Sequence, residues 1–170
     1  MIEQNGKNVD LRTMTRKEMH ALCRKYVSDP VTGEAPFVYD EKTVDGIFDR
    51  CEERASWFPV VGIFSKSSEI IGFLAFKRVV YSEKRCEIGI ALANPEYYGK
   101  GFGTEAIRLA LKAAKEIMGL EKIYADAPSK NGKIIHILKK IGFMNIKTYS
   151  DYYNFNGKKD DRLEFMIRVK

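Results

Sequence analysis

Gly99-Lys100-Gly101-Phe102-Gly103-Thr104 is the stretch of this 170-residue chain whose residue types and spacing most directly imply chemistry. Three glycines at alternate positions remove the Cβ atoms that would hold a ligand away from the backbone. Ile107, Ala110, Leu111, Ala114, Ile117 and Met118 follow at helical spacing, so the turn opens a helix. The first amides of such a helix have no intrahelical partner and lie at the positive end of its dipole, where they bind anions, phosphate above all. Lys100 adds a full positive charge, and the amides of residues 101–105 supply donors enough for a diphosphate. The G-x-G-x-G spacing after antiparallel strands is not the dinucleotide fingerprint, and the P-loop pattern G-x-x-x-x-G-K-[ST] is absent. The same glycines could also do no more than pack a tight loop against a sheet, so their surroundings must decide.

Those surroundings read as alternating strands and helices. A short strand at 9–14 runs into Thr15-Arg16-Lys17-Glu18, a capping box with Met14 and Met19 as its hydrophobic staple, and the helix it opens ends at Asp29-Pro30. Asp40 caps a second helix, whose apolar stripe is Val44, Ile47, Phe48, Cys51 and Ala55. Val60 to Phe64 and Ile70 to Tyr81 form a hairpin around Ser65 to Ser68, and Cys86 to Leu92 adds a third antiparallel strand. After the glycine turn come a short strand at Ile123 to Ala125, a helix from Asn131 to Ile141 closed by Gly142, and two aromatic-rich strands near 143–153 and 162–169. This order predicts an α+β, three-layer fold with a mixed, mostly antiparallel central sheet of about seven strands and helices on both faces.

Composition narrows the function classes. Residues 1–170 fit one domain, and 45% hydrophobic with 31% charged residues describe an ordinary folded globule. No apolar run is long enough for a membrane span and the N-terminus lacks a hydrophobic signal region, which points to a cytoplasmic protein with no membrane partner. Cys23, Cys51 and Cys86 are scattered within apolar periodic segments, as reduced core thiols rather than disulfides or metal ligands. The net charge of +6 is dispersed and not interleaved with stacking aromatics, so no nucleic-acid partner is expected. One asymmetry stands out: residues 29–55 hold eight carboxylates against three bases.

Ile88-Gly89-Ile90 with Asn94-Pro95-Glu96-Tyr97-Tyr98-Gly99-Lys100-Gly101-Phe102-Gly103-Thr104-Glu105-Ala106 resembles the acyl-CoA motif of the GNAT N-acetyltransferases. Asn131 with Leu138-Lys139-Lys140-Ile141-Gly142-Phe143 resembles that family's second signature, an asparagine on a helix ending in Gly-Phe. By element order the likeness covers nearly the whole chain, and it is closest to the branch named for ribosomal-protein N-terminal acetyltransferases. The resemblance implies the acyl-CoA N-acyltransferase fold and acetyl-CoA as cofactor. It implies that pantetheine pairs with the strand end at Ala91, Leu92 and Ala93, in a gap beside the 123–125 strand. The diphosphate would rest on Tyr98, Gly99, Lys100, Gly101, Phe102, Gly103 and Thr104, Asn131 would bond the pantetheine chain, and Lys133 would meet a phosphate.

The sequence departs from the family pattern at three positions. Tyr98 stands where Gln or Arg is usual, and Ile134 where a serine is common. Leu138 stands where many members carry the tyrosine that protonates the departing thiolate, and it has no proton to give. Acyl transfer to an amine also needs a proton acceptor, because an alkylammonium is almost wholly protonated at neutral pH. Glu87, on the cofactor strand, is the candidate base, with pairing to Arg78 or Arg85 as its alternative use. The N–H of Leu92 or Ala93 is the implied oxyanion donor. Tyr149, Tyr152 and Tyr153 could line the acceptor pocket or simply pack, and the aromatic C-terminal strands would allow a homodimer. The reading is an acetyl-CoA-dependent N-acetyltransferase acting on a primary amine of a small cationic molecule or a peptide N-terminus, with the acidic stretch near the acceptor side. The alternative is a coenzyme A-binding sensor without turnover.

Overall fold

The computed structural model describes residues 1–32, 35–155 and 157–169. Eight strands form one sheet: β1 (Glu3–Asn5), β2 (Val9–Arg12), β3 (Val60–Ser65), β4 (Ile70–Val80), β5 (Arg85–Leu92), β6 (Lys122–Pro128), β7 (Met144–Phe155) and β8 (Lys158–Arg168), in the order β1-β2-β3-β4-β5-β6-β8-β7. Every neighbouring pair is antiparallel except β5–β6. That parallel contact consists of Arg85↔Lys122, Cys86↔Ile123 and Glu87↔Tyr124 and then stops. Beyond it β5 stays paired with β4 as far as Leu92, and β6 with β8 as far as Pro128, so the two strands part company.

Helices cover both faces, as the near-continuous burial along β3 and the first part of β4 requires. On one face α1 (Arg16–Lys25) and α2 (Glu41–Glu53) bury Met19, Leu22 and Val44 against Met14, Phe64 and Ile70. On the other, α3 (Phe102–Glu116) and α4 (Gly132–Ile141) bury Ile107, Ala110 and Leu138 against Leu74, Phe76 and Ile88. The three cysteines are free thiols, Cys86 fully buried. No helix among the described residues is long and apolar enough to cross a membrane.

Three departures from the sequence reading have local causes. The sheet gains β1, whose three residues are too few to display alternation. β6 continues past Ala125 to Pro128, because β8 supplies partners the whole way, and this draws Asp126 into the sheet. In β4 the register shifts between Lys77 and Val80, where Arg78 takes φ 51°. Neighbouring strand residues normally point to opposite faces, and the bulge lets both Lys77 and Arg78 turn toward Glu87.

The capping box at the start of α1 is complete. Thr15 accepts from the Glu18 amide, and the Glu18 carboxylate accepts from the Thr15 amide and from Arg12. The Arg12 hydrogen bonds, aided by those of Thr15, overcome the effect of burial and bring the Glu18 carboxyl from its ordinary 4.5 to about 2. A depressed carboxylate pKa stabilises the fold above the unfolded value and loses that contribution as pH falls toward the folded one. Glu18→Gln should therefore lower stability at pH 7 by about 1 kcal/mol in urea unfolding. The gap between variant and wild type should close as pH falls from about 4.5 to about 2.

Candidate active site

The glycine turn adopts the geometry its composition calls for. Gly99 and Gly101 have φ of 72° and 82°, and a Cβ built on either would meet nothing within 4 Å, so backbone conformation rather than crowding selects glycine there. Gly101 is the N-cap of α3 and brings no side-chain cap, which leaves the first-turn amides available to a ligand. Above them lies a cavity of about 530 Å³, closed on its far side by the N-terminus of α4. Asn131 caps α4 by accepting from the Ile134 amide at 3.4 Å. Lys133 Nζ stands 4.6 Å over the Tyr98 ring and 3.6 Å from Asp29 Oδ2. Burial, with the charge of Asp29 second, raises the Tyr98 phenol above its ordinary value, so it stays neutral.

The parting of β5 from β6 determines which backbone groups face the gap. The Ala93 N–H donates to the Ile71 carbonyl at 2.8 Å, and the Ala93 carbonyl accepts from the Val27 N–H at 2.7 Å. In an antiparallel ladder the bonded pairs recur every second residue, so Ala91 bonds to Phe73 and Gly89 to Ala75. The N–H and C=O groups of Ile90 and Leu92 then point the other way, into the gap where β6 has left.

A second cavity of about 690 Å³ opens from the same gap. Tyr26, Ile90, Ala91, Asn131 and Ile134 line both. Its walls from α1, α2 and the segment between them are apolar, including Met19, Leu22, Ile47 and Phe37. Lys77, Asp126 and Tyr153 supply polarity on its wall. Asp126 accepts from Tyr153 Oη at 3.2 Å and Arg162 Nε at 3.1 Å, with Lys77 Nζ 3.8 Å away. Burial pushes the Asp126 carboxyl up, but a hydrogen bond with Glu87 and the charges of Lys77 and Arg162 outweigh it, holding Asp126 below its usual value. Tyr153 is pushed up to about 12 by burial and by the Asp126 charge, so it donates and does not act as a base.

Of the residues expected in the site, Ala91, Leu92, Tyr98, Gly99, Gly101, Phe102, Gly103, Thr104, Asn131 and Lys133 line the first cavity. Lys100 is exposed and off its wall. Ala93, expected to meet pantetheine and offered with Leu92 as oxyanion donor, is fully buried with both backbone groups engaged, so its N–H does not face the gap as that of Leu92 does. Glu87 is 7% exposed, lies on neither cavity wall, and is held by Lys77 at 2.5 Å and Arg78 at 2.8 Å. Glu87 pairs with Arg78 and not with Arg85, which pairs with Glu83. Sequence reasoning missed Asp126 because it ended the strand at Ala125; alternation of buried Ala125 and Ala127 around a carboxylate was the available signal. The acids of α2 are not aimed at the cavity: Asp45 and Asp49 pair with Arg16, and Asp45 also with His20.

The acetyltransferase (GNAT) domain family matches residues 8–144. The chain is 35% identical to spermidine N(1)-acetyltransferase of Escherichia coli (strain K12) over 137 residues, which cover 79% of this chain and 67% of that one. Among solved structures, spermidine N-acetyltransferase from Vibrio cholerae in complex with CoA and spermine superposes with a TM-score of 0.84 at 20% identity, covering 96% of each chain. Ribosomal-protein-S5-alanine acetyltransferase from Vibrio fischeri gives 0.82 at 16% identity, covering 99% of this chain and 97% of that one. The chain therefore belongs to the GNAT acetyltransferase family, as an N-acetyltransferase whose acyl donor is acetyl-CoA. The residues present fit that donor: an uncapped helix N-terminus for its diphosphate and unpaired β-strand groups for its pantetheine amides.

Gly101→Ala should strain the left-handed turn by about 1 kcal/mol, and relaxation of the free protein away from that turn should weaken coenzyme A binding about fivefold in calorimetry. Lys100→Ala, removing a side chain off the cavity wall, should change affinity less than about threefold.

Proposed function

We propose that the protein transfers the acetyl group of acetyl-CoA to the primary amine of a small cationic molecule, with Asp126 rather than Glu87 as the group that receives the amine's proton. The observation that carries this reading is the meeting of the two cavities at the open edge of β5, around Tyr26, Ile90, Ala91 and Asn131. A donor lying on the glycine turn and an acceptor entering from the α1–α2 side would meet there. The names of relatives agree on the chemistry, since the spermidine of one and the α-amino group named for another, an N-alpha-acetyltransferase, are both amines.

Acetyl-CoA supplies the thioester; the chain's residues supply alignment, electrostatics and proton transfer. The amides of Gly101 to Glu105 hold the diphosphate, and Ile90 and Leu92 hold the pantetheine arm in strand register. The Leu92 N–H faces the charge that develops on the acyl oxygen, a contribution of about 3 kcal/mol for one oriented donor. The apolar cavity disfavours the ammonium form and lowers the amine's pKa. Asp126, ionised across the neutral range, accepts the amine's hydrogen bond, takes up its proton as the C–N bond forms and releases it to solvent water. Leu138, 1% exposed, gives nothing to the leaving thiolate. Among the described residues lining both cavities, Tyr26 alone carries a dissociable side-chain proton, and we assign it that task.

The buried Leu138 also favours the second reading, a coenzyme A sensor without turnover. Release of free thiol from acetyl-CoA in the presence of amines and short peptides decides between them: acceptor-dependent release is expected, and tight coenzyme A binding with no release from any acceptor would establish the sensor. Asp126→Asn should reduce kcat by about 100-fold or more with coenzyme A affinity unchanged. Because the Asp126 pKa is depressed, the fall in rate below neutral pH should follow protonation of the amine and not of Asp126. Tyr26→Phe should lower kcat roughly tenfold, and the loss should shrink with an acetyl thioester whose thiol is more acidic.

A further inference from the structure

The second cavity holds information about the acceptor that goes beyond its amine. Its volume, about 690 Å³, is that of a small-molecule site. Its walls from α1, α2, the segment between them and β4 are hydrocarbon, aromatic ring or thiol: Leu22, Cys23, Phe37, Ile47, Cys51 and Phe73. Among the described residues lining it, Asp126 is the one carboxylate, and it already faces Lys77 and Arg162. The carboxylates of α2 that could have received further positive charge lie outside, Asp45 and Asp49 being tied to Arg16 at 2.7 and 2.6 Å. α2 instead turns Ile47 and Cys51 inward. A polyamine would bury its second and third ammonium groups here with no further carboxylate among the described lining residues, an unfavourable placement for a charge. A hydrocarbon or aromatic body would bury against these walls with gain.

Resting on the transfer reading above, we propose that the acceptor is a primary monoamine with an apolar body, an alkylamine or arylalkylamine, bound with its amine at Asp126 and its body between α1 and α2. The site thus selects one amino group and a hydrophobic remainder, a different specificity from that named for the spermidine-acetylating relative.

The test is a matched acceptor series with acetyl-CoA, read by thiol release: hexylamine and 2-phenylethylamine against putrescine, spermidine and a short peptide beginning with leucine. The expected result is kcat/KM at least about tenfold higher for the two apolar monoamines than for spermidine, changing little between low and high salt. A higher kcat/KM for spermidine or putrescine overturns the proposal and leaves the transfer reading intact. A higher value for the peptide overturns the small-molecule assignment. No acceptor-dependent release with any of them, while calorimetry still detects coenzyme A, overturns the transfer reading and this proposal together.

Discussion

Three residue pairs join β5 to β6, and the shortness of that contact is the constraint from which the rest of the site follows. Each strand is committed elsewhere, β6 to β8 along all of Lys122–Pro128 and β5 to β4 as far as Leu92. Ala93 extends the commitment, bonded to Ile71 on one side and Val27 on the other, so the end of β5 is tied to β4 and to the chain leaving α1. Ile90 and Leu92 are left with strand-like groups facing open space, and buried backbone groups demand partners. An extended amide-bearing chain answers that demand as an added strand would.

The same divergence lets the two helical layers communicate. Cavities on opposite faces of an ordinary sheet would be separated by it; here they share Tyr26, Ile90, Ala91 and Asn131. The glycine turn fixes one end of the resulting passage by electrostatics and the Asp126 cluster fixes the other. Lys77, Arg78 and Arg162 oppose Glu87 and Asp126 in that cluster, and the Asp126 carboxyl is held below its usual value despite burial. A surplus of positive charge and apolar walls both favour a neutral amine over an ammonium, which is what the chemistry needs.

Much of this was legible in the sequence because local signals and tertiary use agree. The glycines at 99 and 101 announce left-handed turns, Thr15 and Glu18 announce a cap, and the alternation of Cys86, Ile88 and Ile90 announces β5. The acceptor end was harder to read. Asp126 and Arg162 come from strands β6 and β8, 36 positions apart, and only their pairing brings them together. Glu87 looked like an exposed strand carboxylate, since alternation cannot reveal that a bulge at Arg78 folds two cations over it. The acidity of α2 was visible, but its commitment to Arg16 and His20 depends on how α1 packs beside it.

Amide hydrogen exchange followed residue by residue by NMR, with and without coenzyme A, tests the open edge of β5 directly. The account predicts that the amides of Ile90 and Leu92 exchange readily in the free protein and become protected when coenzyme A is added, while Ala91 and Ala93 are slow in both states. Protection of Ile90 and Leu92 in the free protein, or exchange unchanged by saturating coenzyme A, would contradict it.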